Sequence, residues 1–249
     1  MAGKLNGKVA LVTGASSGIG EATALALAAE GAYIALAARR HERLEELARQ
    51  IEKNGGQAMP IIADVADEKQ ANDMVHTASG RWGHLDILVN NAGLMLLGPI
   101  EGADTEDWRR MVSVNLLGLL YATHAAIPVM KAQNGGHIVN VSSVAGRTAR
   151  AGSGVYNATK WGVGAFSEAL RQEVYQHHIR VTLIEPGAVA TELTEHITNP
   201  EAKRETQEWV HSIRPLQSED IAAAIMYAVT QPAHVNVNEI LIRPTDQER

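Results

Sequence analysis

Short apolar runs recur along this chain, each followed by a longer amphipathic stretch, and that alternation restricts the fold more than any other feature. KVALVTG (8–14), YIALAAR (33–39), AMPIIADV (58–65), LDILVNN (85–91), HIVNVSS (137–143), IRVTLIEPG (179–187) and NEILIRPT (238–245) read as strands. Several are apolar at both alternating positions, as strands covered on both faces of a parallel sheet must be. Helical patterns lie near 18–30, 41–54, 67–81, 104–132, 154–177 and 218–230. Thr105, Glu106 and Asp107 give the fourth a polar, acidic start. The expected fold is α/β: a single-domain, doubly wound (Rossmann-type) parallel sheet of about seven strands, with helices on both faces and right-handed crossovers. No linker or compositional break interrupts 1–249, so one domain is expected. The segment 188–217, AVATELTEHITNPEAKRETQEWVHSIRPLQ, breaks the rhythm. It is polar and follows a strand's carboxyl end, where open α/β sheets bind ligands. A lid over the site is favoured; a surface excursion is the alternative.

Composition removes several classes of function. Lys and Arg number 22 against 28 Asp and Glu, a net charge of −6 with no basic block, so neither nucleic acid nor an anionic membrane is an expected partner. There is no cysteine, which excludes disulfides, thiolate metal sites and cysteine nucleophiles. The start, MAGKLNGKVALVTG, carries no apolar run of signal length, and no uninterrupted apolar run reaches the roughly 18 residues of a membrane span. A cytoplasmic, soluble protein is expected. The ten histidines, His177 and His178 included, form no H-x-x-x-H or H-E-x-x-H arrangement, so no metal is expected.

TGASSGIG (13–20) closes the first strand and opens the first helix. Gly14 permits a sharp turn, Gly18 lets backbone approach a pyrophosphate, and Gly20 lets helix pack on strand. Ser16, Ser17 and Ile19 complete a turn whose free N–H groups face the phosphates. At the end of the second strand an NAD site usually places an acidic residue for the ribose hydroxyls. Here the chain reads Ala37-Ala38-Arg39-Arg40, with room for a 2′-phosphate and two guanidinium groups to hold it. NADP(H) is the expected cofactor. Asp64 and Val65 can bracket an adenine edge, and Asn90, Asn91, Ala92 and Gly93 make a small corner suited to a cofactor; turn chemistry explains either stretch equally well.

Tyr156 and Lys160 in VYNATKWGVGAF stand four residues apart, on one helical face, a spacing that by itself seldom means chemistry. Taken with TGASSGIG, Asp64-Val65, NNAG (90–93), Asn115, Ser143 and Pro186-Gly187, however, YNATK resembles a short-chain dehydrogenase/reductase over nearly the whole chain, in that family's order and spacing. The resemblance implies Ser143, Tyr156 and Lys160 as the catalytic group, with Asn115 as accessory. It implies cofactor contacts from Gly14, Ser17, Ile19, Asp64, Asn90, Val189 and Thr191, joined by Ser16, Gly18, Gly20, Arg39, Arg40, Val65, Ala92, Gly93, Pro186, Gly187 and the catalytic Tyr156 and Lys160. It further implies that Lys160 binds the nicotinamide ribose and passes protons through water near Asn115, and that the protein assembles as a homotetramer or homodimer.

Carbonyl reduction needs hydride on carbon and a proton on oxygen. The nicotinamide carries the hydride, so the protein must position the reactants and supply the proton. A phenol titrates near pH 10 unperturbed, and an ammonium one turn away is expected to lower that value. Ser143 can donate to the oxygen where negative charge develops. Met95, Val144 and Arg150, with Ser143 and Tyr156, are the expected substrate pocket, apolar with Arg147 and Arg150 as nearby cations. The expected activity is NADPH-dependent, reversible reduction of a small or medium aldehyde or ketone, and one bearing a carboxylate would fit. A 3-hydroxy-acid or hydroxysteroid dehydrogenase and a non-enzymatic nucleotide sensor are the competing readings. Gly162 and Gly164 weaken the 154–177 helix and point to a close approach, between subunits or within one.

Overall fold

In the computed structural model, which describes residues 3–248, seven strands form one parallel sheet. They are β1 (Val9–Thr13), β2 (Tyr33–Ala38), β3 (Gln57–Ile62), β4 (Ile87–Asn90), β5 (Gly136–Val141), β6 (Ile179–Pro186) and β7 (Glu239–Ile242). Of the expected 1–249 domain, Met1, Ala2 and Arg249 lie outside the described residues. The order is β3-β2-β1-β4-β5-β6-β7. Leu11 pairs with Ala35 on one side and Leu88 on the other, so β1 and β4 are neighbours although two strands separate them in sequence. The winding direction reverses at this pair, and the crevice at the reversal opens beyond the strands' carboxyl ends.

Alternation along each strand feeds two cores. Ala10 and Val12 face a layer built with Leu27, Leu44, Ile51 and Ile225, while Val9 and Leu11 face one built with Met74, Ala122, Met130 and Leu170. The first layer belongs to α1 (Gly18–Ala29), α2 (His41–Lys53) and α8 (Ser218–Val229). The second belongs to α3 (Glu68–Trp82), α5 (Gly118–Ala132) and α6 (Gly154–Val174). Pro60 sits in β3, at the sheet edge, where a missing N–H costs no ladder bond.

The helix expected over 104–132 is divided. Asp104 caps α4 (Thr105–Val112) by accepting from Glu106 N at 2.9 Å, a π-helical stretch covers Ser113–Leu117, and α5 follows. A Cβ on Gly118 would stand 2.8 Å from Val65 O, so only glycine lets α5 begin against the loop after β3. By length and composition Thr105–Ala132 could cross a membrane, a reach not anticipated from uninterrupted apolar runs. Ala122, Ala126 and Met130 are instead fully buried against the sheet.

Gly162 and Gly164 meet neighbours inside the subunit: a Cβ would lie 3.4 Å from Leu116 and 3.7 Å from Leu183 respectively. The segment 188–217 is more ordered than its polarity suggests. Its ends are paired, Ala190 N to Leu216 O at 2.8 Å and Leu216 N to Ala188 O at 3.0 Å. Between them stand a short turn, Glu192–His196, and α7 (Pro200–Ser212). Asn199 caps α7 and Pro200 opens it, a start signal present in the sequence.

Candidate active site

A cleft of about 940 Å³ runs along the carboxyl rim of the sheet. Its floor is the glycine turn, where Gly14 (φ +65°) and Gly18 (φ +58°) adopt the left-handed conformation. A Cβ on Gly14 would stand 2.9 Å from Ala92 Cα, and one on Gly18 would stand 3.1 Å from Thr191 Cγ2. The bare backbone and the amino end of α1 together form a cradle that fits a dinucleotide's pyrophosphate. Ser16, Ser17, Ile19, Arg39, Arg40, Asp64, Val65, Ala92, Gly93, Pro186, Gly187, Val189 and Thr191 line the same cleft. Two expected contacts do not. Gly20 lies behind the turn, where a Cβ would be 2.3 Å from Gly14 O; it packs helix against strand. Asn90 points into the core: its Nδ2 donates to Thr123 Oγ1 (3.0 Å) and Asn140 Oδ1 (2.9 Å), binding β4 to β5 and α5. The cleft-facing residue is Asn91, whose Nδ2 donates to Thr13 O at 2.9 Å and so ties the glycine turn to β4. Strand alternation held the signal, since adjacent residues face opposite ways.

Ser143 follows β5, and Tyr156 and Lys160 stand one turn apart on α6. Tyr156 is 6% exposed and Lys160 5%, yet both line the cleft. Ser143 bears on the phenol, and its Oγ donates to Pro186 O at 3.4 Å and accepts from Ala145 N at 3.1 Å. Ser142 serves elsewhere, donating to Lys160 O at 3.0 Å and seating α6 on β5. Lys160 Nζ donates to Val141 O at 3.0 Å and lies 5.8 Å from the centre of the Tyr156 ring. Burial pushes the phenol up to about 12, against a downward pull from Ser143. Burial also pushes the ammonium down to about 8. The expected lowering of Tyr156 by Lys160 is therefore not what these residues produce alone, because loss of water disfavours both charged forms. Asn115 is 2% exposed and its side chain is committed: Oδ1 accepts from Leu94 N at 2.7 Å, and Nδ2 donates to Leu94 O and Thr159 Oγ1. It shapes the wall of the cleft and lines none of it.

The two arginines after β2 differ. Arg39 is 70% exposed, with Asp64 Oδ2 at 3.8 Å. Arg40 is fastened over the glycine turn, with Nε donating to Ser16 Oγ at 3.0 Å and Nη2 to Ser17 Oγ at 2.5 Å.

Residues 8–202 match the family model described as short chain dehydrogenase. The chain belongs to that family. This short-chain dehydrogenase is 42% identical to an oxidoreductase of Staphylococcus saprophyticus over 96% of its length and 97% of the relative's. Its fold superposes on a closed form of serine dehydrogenase complexed with NADP+, at a TM-score of 0.89 and 36% identity, covering 97% and 96% of the two chains. It is also similar to a short-chain dehydrogenase/reductase of Burkholderia phymatum in complex with NAD, at a TM-score of 0.87 and 27% identity, covering 96% and 89%. The protein is an oxidoreductase of CH–OH and C=O groups.

Farther along the cleft of this dehydrogenase, Met95, Leu97 and Val144 face Trp209 and Val210 of the 188–217 segment. The Arg150 guanidinium lies 5.4 Å above the Trp209 ring centre, within cation–π range. Arg109 and Arg110, which sequence reasoning passed over, also line this end. Arg147, expected as a nearby cation, does not: its Nε donates to both Glu185 oxygens at 2.7 and 2.8 Å, and it also pairs with Glu239. Glu185 is buried, so Arg147 neutralises a core carboxylate. Among the described residues no cluster of potential metal ligands occurs.

Proposed function

We propose that this short-chain dehydrogenase reduces an aldehyde or ketone reversibly to an alcohol with NADPH, the substrate carrying a carboxylate. One observation carries the reading: a buried phenol, with Ser143 in the same wall and Lys160 a turn away, opens onto a cleft floored by the glycine turn. When bound, the reduced nicotinamide supplies the hydride. Ser143 donates to the carbonyl oxygen as negative charge develops there, and Tyr156 gives that oxygen its proton. Lys160, which stays mostly protonated at neutral pH although burial brings it down to about 8, keeps positive charge beside the phenol when the tyrosinate forms. Asn115 acts by holding Leu94 and Thr159, a positioning role.

The solved relatives divide between NADP and NAD, so residues of this chain argue for the cofactor. Ala37 and Ala38 replace the acid an NAD site would carry, and Arg39 and Arg40 supply the cations a 2′-phosphate takes. Arg150 beside an apolar wall favours a substrate with an anionic end, whereas Arg109 and Arg110 at the same end already pair with Glu106 and Asp107 at 3.2 Å each. MLLGP (95–99), SEALRQEV (167–174), IEPG (184–187) and EILIRPTDQ (239–247) are similar to clavulanic acid dehydrogenase, a reductase of clavulanate aldehyde, which is such a substrate. A second reading, oxidation of a 3-hydroxy acid, draws on the same cation and on the likeness to serine dehydrogenase. The 188–217 segment acts as a lid, since its ends are clasped and Trp209 and Val210 face the cleft. Exposed Trp161, Tyr227 and Leu241 suit subunit contacts of a homotetramer or homodimer in the cytoplasm.

The test is loss of NADPH absorbance on adding carboxylated aldehydes, β-keto acids and steroids in turn. Turnover is expected with a carboxylated member, and faster with NADPH than NADH. No turnover with any member would leave a nucleotide-binding protein without catalysis.

A further inference from the structure

Glu192 opens the turn that begins the 188–217 excursion and lies 152 positions from Arg40. Its Oε2 nevertheless accepts from Arg40 Nη1 at 2.7 Å, and its Oε1 from Arg43 Nη1 at 2.7 Å. One carboxylate thus bridges two guanidinium groups at the start of α2. The pair holds the Glu192 carboxyl down at about 2, so it is ionised throughout the neutral range. Arg40 directs Nε and Nη2 to Ser16 and Ser17, and Nη1 to Glu192. A planar fork meets carboxylate and phosphate oxygens with the same geometry.

We infer that Glu192 competes with the cofactor's 2′-phosphate for Arg40 and Arg43, and so helps to set cofactor selectivity. The inference rests on the NADP(H) reading above. A phosphate that takes Arg40 end-on through Nη1 and Nη2 meets the Nη1 already shared with Glu192, so two anions contend for one guanidinium edge. A dinucleotide lacking that phosphate leaves the carboxylate in place. The exchange also reaches the excursion, because Thr191, the preceding residue, lies against Gly18 of the glycine turn. Glu192 is therefore a clasp between the excursion and the opposite rim, released by the anion that replaces it.

Calorimetric titration with 2′,5′-ADP and 5′-ADP tests this on the wild type, Glu192→Gln and Glu192→Ala. Both variants should bind 2′,5′-ADP up to about fivefold more tightly than the wild type, the scale of removing one exposed ion-pair competitor. Binding of 5′-ADP should change by less than about twofold. Glu195→Gln, which removes the same charge a turn away, should leave both affinities near wild type. Unchanged or weaker 2′,5′-ADP binding in the Glu192 variants overturns the inference, since the carboxylate would then be orienting the arginines. Equal tightening of both nucleotides, or an equal gain in Glu195→Gln, overturns it as a general charge effect. If the wild type favours 2′,5′-ADP and the variants gain nothing, only the inference fails. If no form distinguishes the two nucleotides, the NADP(H) reading fails with it.

Discussion

The two ends of the cleft are built on opposite electrostatic plans. Around Tyr156 the phenol and the Lys160 ammonium are buried, and burial moves their proton affinities by large amounts. Around Arg40 the charges are numerous and half exposed, and they satisfy one another through Arg40, Arg43 and Glu192. Water screens the second group and not the first. Removing one group at the buried end should therefore change chemistry by orders of magnitude, whereas changes at the exposed end should redistribute affinity by factors near ten.

Tyr156→Phe is the severest test of that contrast. It should lower kcat for NADPH-dependent reduction by about 10³-fold, within the range for a lost general acid, while 2′,5′-ADP binding stays near wild type. Near-normal turnover would remove Tyr156 from the role. Lys160→Met should cost turnover by about 10²-fold and also raise the melting temperature near neutral pH, because it removes a buried charge. The sign follows from proton binding. With the folded value near 8 and the unfolded value at 10.5, the unfolded chain holds more protons between those limits. Wild-type stability should rise with pH across that window, and the rise should vanish in Lys160→Met.

At the exposed end, Arg39→Asp or Arg40→Asp should lower the preference for NADPH over NADH at least about tenfold, roughly 1.4 kcal/mol. Paired kinetics at low and high salt sharpen the comparison: salt should shrink the wild-type preference and leave the Tyr156→Phe defect unchanged. A further effect lies far from both ends. Thr182 Oγ1 gives its proton to Val237 O at 2.6 Å, so His137 Nε2, 2.8 Å away, must be the donor to Thr182. Nδ1 is then a buried acceptor with no partner, and burial holds the ring down at about 3. The unfolded chain takes up the proton first, so stability should fall as pH drops from 6.5 towards 3. Urea melts of His137→Gln over that range should show a shallower fall.

The sheet was legible because its signal is local: a strand covered on both faces is apolar at every position, as Val9 to Val12 are. The floor of the cleft was legible because a left-handed turn needs glycine where it stands. What escaped depends on contacts made across the chain. Asn90 and Asn91 are one residue apart, and only the register of β4 decides which faces the core. Arg147 looked like a substrate cation until folding set it beside Glu185, 38 positions away. The charge state of Tyr156 escaped for the same reason, since burial is set by everything packed over α6. The motif spacing showed who the partners are, and only the fold showed that water is absent between them.

The tyrosinate absorbance of Tyr156, taken as the wild-type minus Tyr156→Phe difference across a pH titration with and without saturating NADP+, tests the proton-donor claim most directly. Without nucleotide the band should emerge only towards the high value that burial imposes, about 12. With NADP+ the positive nicotinamide facing the phenol should draw the transition down by more than one pH unit, above about 1.4 kcal/mol of charge interaction. A transition at the same pH in both titrations would show that the phenol does not face the cofactor ring.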